Sequence, residues 1–239
     1  EDWRRHLSAE LPVGMENFAV GKQVAATEGK VVFRNDLIEL IQYTPQTKDV
    51  YKEPILILPA WIMKYYILDL SPHNSLVKHL VQQGHTVFII SWKNPSQEDA
   101  YIKFNDYMKL GVLKAIEAVE TITKQKQIHA VGYCLGGTIL AITKAYLARC
   151  KDTRLKTLTL LATQTDFMEP GELGLFIDES QITFLENYMW SKGYLDANNL
   201  SGTFQLLNSK DLIFSKVVQT YLLGERKEMT DLMAWNSDK

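Results

Sequence analysis

The chain has 239 residues, 46% of them hydrophobic and 23% charged, a balance that excludes intrinsic disorder and collagen-like or coiled-coil fibres. Single cores stop growing beyond roughly 250–300 residues, so this length suits one large domain or two small ones. Lysine plus arginine (26) against aspartate plus glutamate (28) leaves a formal net charge of −2. That is too little to drive binding to nucleic acid or an anionic membrane, and any anion has to be held by a local site.

The longest apolar run, Ile55 to Met63, falls well short of the ~20 residues that span a bilayer and is interrupted by Pro59. The chain opens Glu1-Asp2-Trp3-Arg4-Arg5 with neither an initiator Met nor an apolar leader. This reads as an end set by processing or cloning and gives no sign of secretion. Two cysteines, Cys134 and Cys150, are too few for a disulfide scaffold. With a helix between them they would stand ~20 Å apart, beyond the ~7 Å bridging limit, so free thiols in a reducing cytoplasm are expected.

No internal repeat occurs; short β-branched runs alternate with longer amphipathic segments. Val31 to Arg34 and Leu37 to Tyr43 read as a hairpin whose Asn35-Asp36 turn tolerates positive φ. Ile55 to Leu58, Thr86 to Trp92, Ile128 to Tyr133 and Leu155 to Ala162 are apolar on both faces, as buried parallel strands require. Between them, Asn74 to Gln83 puts Leu76, Val77, Leu80 and Val81 on one face and ends at Gly84, a natural C-cap. Residues 106–123 form a second helix with Tyr107, Leu110, Leu113, Ile116, Val119 and Ile122 inward and Lys109, Lys114, Glu117 and Glu120 in water. This rhythm is that of βαβ units: an α/β, mostly parallel sheet of about six strands with helices on both faces.

After Phe167 the strand rhythm stops, and helix-like, aromatic-rich stretches follow at Phe176 to Trp190 and Asp211 to Leu223. The expected division is a lead-in segment (1–28), an α/β core (29–167) and a helical cap subdomain (168–239).

Gly132-Tyr133-Cys134-Leu135-Gly136-Gly137-Thr138 lies between a strand and a helix and has the G-x-C-x-G form of a nucleophile elbow. Such a turn holds the central side chain above the sheet in a strained backbone, and Gly132, Gly136 and Gly137 provide the small neighbours it needs. At a helix N-terminus Cys134 meets the positive end of the macrodipole, which favours a thiolate and can stabilise a developing oxyanion. The Leu135 N–H is the first expected oxyanion donor; the second comes from the loop after Ile55–Leu58, from Ala60 or Trp61. A buried structural Cys or a phosphate cradle fits less well. The loop lacks the Lys-Ser/Thr end of a P-loop and the spacing of a dinucleotide site.

With this elbow go Val20-Gly21-Lys22, Val24 to Gly29, Trp61-Ile62 with Lys64 to Leu70, Gln83 to Phe88, and Ser91-Trp92-Lys93-Asn94-Pro95. Thr165-Asp166-Phe167, Phe176 to Glu179 and Trp235-Asn236 continue the set. Together they resemble the catalytic α/β-hydrolase domain of the polyhydroxyalkanoate (poly-3-hydroxybutyrate) synthases, of class I type, truncated after about six strands. The resemblance implies an acyltransferase that moves (R)-3-hydroxyacyl groups from CoA thioesters to Cys134 and on to a growing polyester, with CoA released. It further implies a cytoplasmic bacterial enzyme at a polyester granule surface, a homodimer, and no cofactor or metal besides the CoA of the substrate. A thiolate exchanges readily with a thioester, so the local chemistry agrees.

A family triad also needs an acid and a His after the nucleophile. None of the five histidines, His6, His73, His79, His85 and His129, follows Cys134. His129, five residues before the cysteine in the same strand, is too far down the sheet to reach it. Asp166 is the one acid worth weighing; a loop or cap role competes with a triad role. Lys64 reads either as a contact for a CoA phosphate or as a solvated side chain. The aromatic residues Phe184, Tyr188, Trp190, Tyr194, Phe204, Tyr221 and Trp235 read as a lid over the thioester or as helical packing. Because the acid and base are missing, the chain alone is expected to be inactive. The alternatives are a cysteine-dependent hydrolase or thioesterase, and a truncated, non-catalytic binding segment.

Overall fold

The structure, a computed structural model, describes residues 5, 10–171, 174, 177–195, 218, 222–224 and 228–238. Much of the helical stretch expected over Asp211 to Leu223, and Phe176, Phe204 and Tyr221, lie outside the described residues.

Six strands form one sheet: β1 (Gly29–Arg34), β2 (Ile38–Tyr43), β3 (Ile55–Leu58), β4 (Val87–Trp92), β5 (Ile128–Tyr133) and β6 (Leu155–Leu161). Their order is β1-β2-β4-β3-β5-β6. The first two are antiparallel to their neighbours, and β4, β3, β5 and β6 run parallel. All four residues of central β3 are buried, as its unbroken Ile-Leu-Ile-Leu run requires. The α/β-hydrolase-like, mostly parallel sheet expected from the sequence is therefore the fold.

Among the described residues, the α-helices longer than a single turn are α1 (Leu76–Gln82), α2 (Lys114–Thr123), α3 (Leu135–Arg149), α4 (Glu179–Lys192) and α5 (Asp231–Ser237). Ser75 caps α1 by accepting from the Lys78 N–H, and Gly84 at φ +85° ends it as expected.

Four details differ from the expectations. Expected to be buried on both faces, β6 is an edge strand of the sheet and buries only Leu155, with Lys156, Thr157, Thr159 and Leu160 exposed. The Asn35-Asp36 turn needs no positive φ: the Asn35 carboxamide accepts from the N–H groups of Leu37 and Ile38, an Asx-type arrangement that turns the chain with ordinary dihedrals. Leu110 and Ile122 are exposed, not inward, because Tyr107–Leu113 is a π-helical segment running into α2. Its wider turns bring Met108, Gly111 and Val112 to the core in that stretch, and Ile116 and Val119 are buried as expected, with Ala115 beside them. A small antiparallel ribbon, Asp69–Ser71 with Asn74–Ser75, precedes α1 where Asn74 was expected to be helical.

The main core lies on one side of the sheet, where Leu40, Leu56, Leu58, Phe88 and Ile90 meet α2 and α3. Ile55, Ile57, Val87 and Ile89 meet Val77 and Val81 of α1 on the other. A third cluster, Val24, Ala25, Tyr66 and Leu70, joins the lead-in segment to the chain after β3. Its polar centre is Asp69, 1% exposed, which accepts from the Thr27 and Ser75 hydroxyls at 2.5 and 2.6 Å.

Candidate active site

Cys134 follows β5 directly and forms the N-cap of α3 with φ 53° and ψ −128°, a conformation L-residues adopt only under constraint. The constraint is visible on every side. The Cys134 N–H donates to the Leu161 carbonyl at 3.0 Å, and the Cys134 carbonyl accepts from the Gly137 N–H at 2.9 Å. A Cβ on Gly132 would overlap the Cα of Gly137, so the two glycines let strand and helix touch. A Cβ on Gly136 would run into the carbonyl oxygens of Leu58 and Pro59, which presses the start of α3 against the end of β3.

Two threonines complete this support, and the sequence reading passed over both. Thr138 donates to the Gln164 carbonyl at 2.7 Å, while the Thr163 hydroxyl reaches the carbonyls of Leu161 and Gly132 at 3.1 and 3.4 Å. Ala162, at φ 47°, turns the chain after β6 into this position. A hydroxyl residue just inside a glycine-rich helix start was the available signal.

The Cys134 thiol is free and half-buried, and it opens on a cavity of about 270 Å³. The wall is mostly apolar: Pro59, Ala60, Ile62, Met63 and Ile67 from the chain after β3, Tyr133 from the elbow, and Trp235 from α5. Lys64 and Asn236 add polar groups. Burial, and then the adjacent Cys134, push the Tyr133 phenol above its ordinary value.

Of the expected oxyanion donors, Leu135 is the first residue of α3, so its N–H lies outside the intrahelical ladder. Ala60 lines the cavity. Trp61 is not among the residues lining the cavity, and its ring packs edge-on to Trp92 and Phe104 and tilted against Tyr107, with centroids 5.4–6.4 Å apart. The Trp92 Nε1–H donates to the Pro59 carbonyl at 2.9 Å in a buried contact and so fixes the loop that carries Ala60.

Asp166 is exposed and caps its own loop, accepting from the Met168 N–H at 3.0 Å. His129 is the second residue of β5, near the far end of the strand, about 16 Å from Cys134 at ~3.3 Å per residue, and pairs with the Thr157 hydroxyl at 2.7 Å. His85 stacks on Tyr51, and burial, then His129, lower its ring below the ordinary value. His73 and His79 are exposed beside and on α1, and His6 lies outside the described residues. No histidine among the described residues lines the Cys134 cavity.

The roof of the cavity belongs to α5, which the sequence reading knew only through Trp235. The Trp235 Nε1–H donates to the Lys64 carbonyl at 2.8 Å. The Tyr66 hydroxyl donates to Asp238, and the Ser71 hydroxyl to Asp231, both at 2.6 Å. Lys64 reaches Asp238 at 4.0 Å, so it is not a lone solvated side chain. In contrast, α4 buries none of its residues, and Phe184 and Trp190 stand 66% and 92% exposed.

A strained residue between a parallel strand and a helix, with its thiol on a mostly apolar cavity, is the arrangement that a nucleophile elbow requires. The chain belongs to the α/β-hydrolase fold family, whose model matches residues 53–206. A second model, the N-terminus of poly-beta-hydroxybutyrate polymerase (PhaC), matches residues 4–80. The chain is 47% identical over 221 residues to a poly(3-hydroxyalkanoate) polymerase of Methylorubrum extorquens, covering 92% of this chain and 36% of the relative. Against the PhaC polymerase subunits of Rhizobium etli and Cupriavidus necator it is 46% and 41% identical, covering 94% and 92% of this chain and 35% and 38% of the relatives. The resemblance read from the motifs therefore holds over nearly the whole chain, which spans about a third of the length of these relatives. Among the described residues no helix is long and apolar enough to cross a membrane.

Proposed function

We propose that Cys134 is the acyl acceptor of a polyhydroxyalkanoate synthase. Its thiolate attacks the carbonyl carbon of an (R)-3-hydroxyacyl-CoA; a tetrahedral oxyanion forms, and its collapse breaks the bond to the CoA sulfur. CoA leaves as thiolate and takes up a proton. The acyl group is now a thioester on Cys134, and a hydroxyl oxygen of another hydroxyacyl unit attacks it, adding one ester bond and returning the cysteine. The Leu135 and Ala60 N–H groups hold the oxyanion in both transfers; Ala60 is preferred to Trp61 because it faces the cavity. The apolar cavity excludes water that would divert the thioester to hydrolysis.

The observation that carries this reading is the left-handed Cys134 held between β5 and α3 with its thiol on the apolar cavity. The name that the relatives share supplies the substrate class. Since no histidine of the described residues lines the cavity, the general base is taken to come from the part of the relatives' length outside this chain. These 239 residues alone are accordingly expected to turn over negligibly. The protein is proposed to act as a homodimer at the surface of a cytoplasmic polyester granule.

The test is CoA release from (R)-3-hydroxybutyryl-CoA by the polypeptide expressed from the complete coding sequence. Release that continues undiminished in a folded Cys134→Ala variant overturns the assignment. Free hydroxy acid in place of polyester would instead identify a cysteine-dependent thioesterase.

A further inference from the structure

We propose that Ile62 and Met63 select the acyl group by the length of its chain beyond C3. The inference rests on the reading of Cys134 as the acyl acceptor. An acyl group bonded to that sulfur has to lie in the cavity the thiol faces. At about 270 Å³, this space falls just below the ~300–1,000 Å³ of pockets that take drug-sized ligands, so its far wall limits how long an acyl chain it can enclose.

Four apolar side chains make the wall away from the elbow: Ile62, Met63, Ile67 and Trp235. Ile67 and Trp235 also pack on the Val24-Ala25-Tyr66-Leu70 cluster, and Trp235 is hydrogen-bonded to Lys64 besides. Their positions answer to the interior, and trimming them costs stability. Ile62 and Met63 belong to none of the three core clusters, yet both are half-buried. What they shape is the cavity itself. Met63 is unbranched and adaptable, and its truncation to alanine removes three heavy atoms from the wall without opening a core cluster.

A methylene too many or too few in an apolar pocket changes kcat/KM by ~10–200-fold. The pair of residues therefore has the reach to set a sharp preference between acyl groups differing by one or two carbons.

The experiment compares CoA release from (R)-3-hydroxybutyryl-CoA and (R)-3-hydroxyhexanoyl-CoA by the polypeptide expressed from the complete coding sequence. Met63→Ala is expected to raise the hexanoyl-to-butyryl ratio of kcat/KM about tenfold or more. Met63→Leu, which keeps the volume, should leave the ratio near its starting value. Met63→Phe, which fills the cavity, should lower it and serves in place of Met63→Ala should that variant not fold. A ratio that stays constant in Met63→Ala, Ile62→Ala and Met63→Phe while CoA is still released overturns the selection role and leaves the acyl acceptor standing. No CoA release from either thioester by the unsubstituted protein overturns both.

Discussion

The indole N–H of Trp235 donates to the carbonyl oxygen of Lys64 over 2.8 Å, joining residues 171 positions apart and closing the cavity above Cys134. Replacing the indole by phenyl keeps an aromatic ring but removes the donor and leaves the Lys64 carbonyl without it, a loss of about 1–2 kcal/mol in the docking of α5. Trp235→Phe should therefore admit reagents to the elbow. Alkylation of Cys134 by iodoacetamide should accelerate several-fold, with exposed Cys150 as the internal reference. Equal Cys134-to-Cys150 rate ratios in the two proteins would show that α5 does not guard the thiol.

Gly136→Ala tests whether the elbow is held by backbone contact. The added Cβ would stand 2.6 Å from the Pro59 carbonyl oxygen and closer still to that of Leu58. Neither atom is the end of a flexible side chain, so α3 or the end of β3 has to move. Overpacking of this kind costs ~1–3 kcal/mol where side chains can yield, and a loss at or above the upper end is expected. Urea unfolding that shows a change under about 1 kcal/mol would mean that the strand-helix junction is looser than the contact implies.

The legibility of these features differs for a physical reason. The tight strand-to-helix turn was readable because its demands are local: Gly132, Cys134, Gly136 and Gly137 meet the steric requirements within six residues. The central strands β3 and β4 were readable because burial on both faces forces a continuous apolar run. The roof was not, because its bonds join Lys64, Tyr66 and Ser71 to Trp235, Asp238 and Asp231, and nothing in either segment specifies the other. The exposed Leu110 was misread for a different reason. Periodicity assumes 3.6 residues per turn, and the π segment at Tyr107–Leu113 breaks that assumption where Gly111 passes under the Trp92 ring.

Trp92→Phe tests the proposed role of Ala60 as the second oxyanion donor. The change leaves the buried Pro59 carbonyl without its indole donor and opens a small void, for a combined cost of about 2–3 kcal/mol. Because Pro59 precedes Ala60, a displaced loop weakens the second oxyanion donor more than it weakens substrate binding. In CoA-release assays kcat should fall, by up to about 10²-fold, with little change in KM. A rise in KM alone would remove Trp92 from any part in positioning Ala60.

Asp69 gives a pH dependence with a definite sign. Burial raises its carboxyl above the ordinary value, and the hydrogen bonds from Ser75 and Thr27 oppose this only in part. A carboxyl with a raised folded pKa holds its proton more tightly in the folded state than in the unfolded one. Its contribution is then fully present below the unfolded value of about 4 and is lost as pH rises through the folded value. Asp69→Asn removes this titration while keeping an oxygen to accept from Thr27 or Ser75. Measured by urea midpoint from about pH 4 upward, the variant should lose less stability with rising pH than the unsubstituted protein. The two curves should lie closest near pH 4, where Asp69 is protonated and resembles the neutral amide, and separate as pH rises and Asp69 becomes charged. Parallel curves across the whole range would show that Asp69 folds with its ordinary affinity for the proton, despite being 1% exposed.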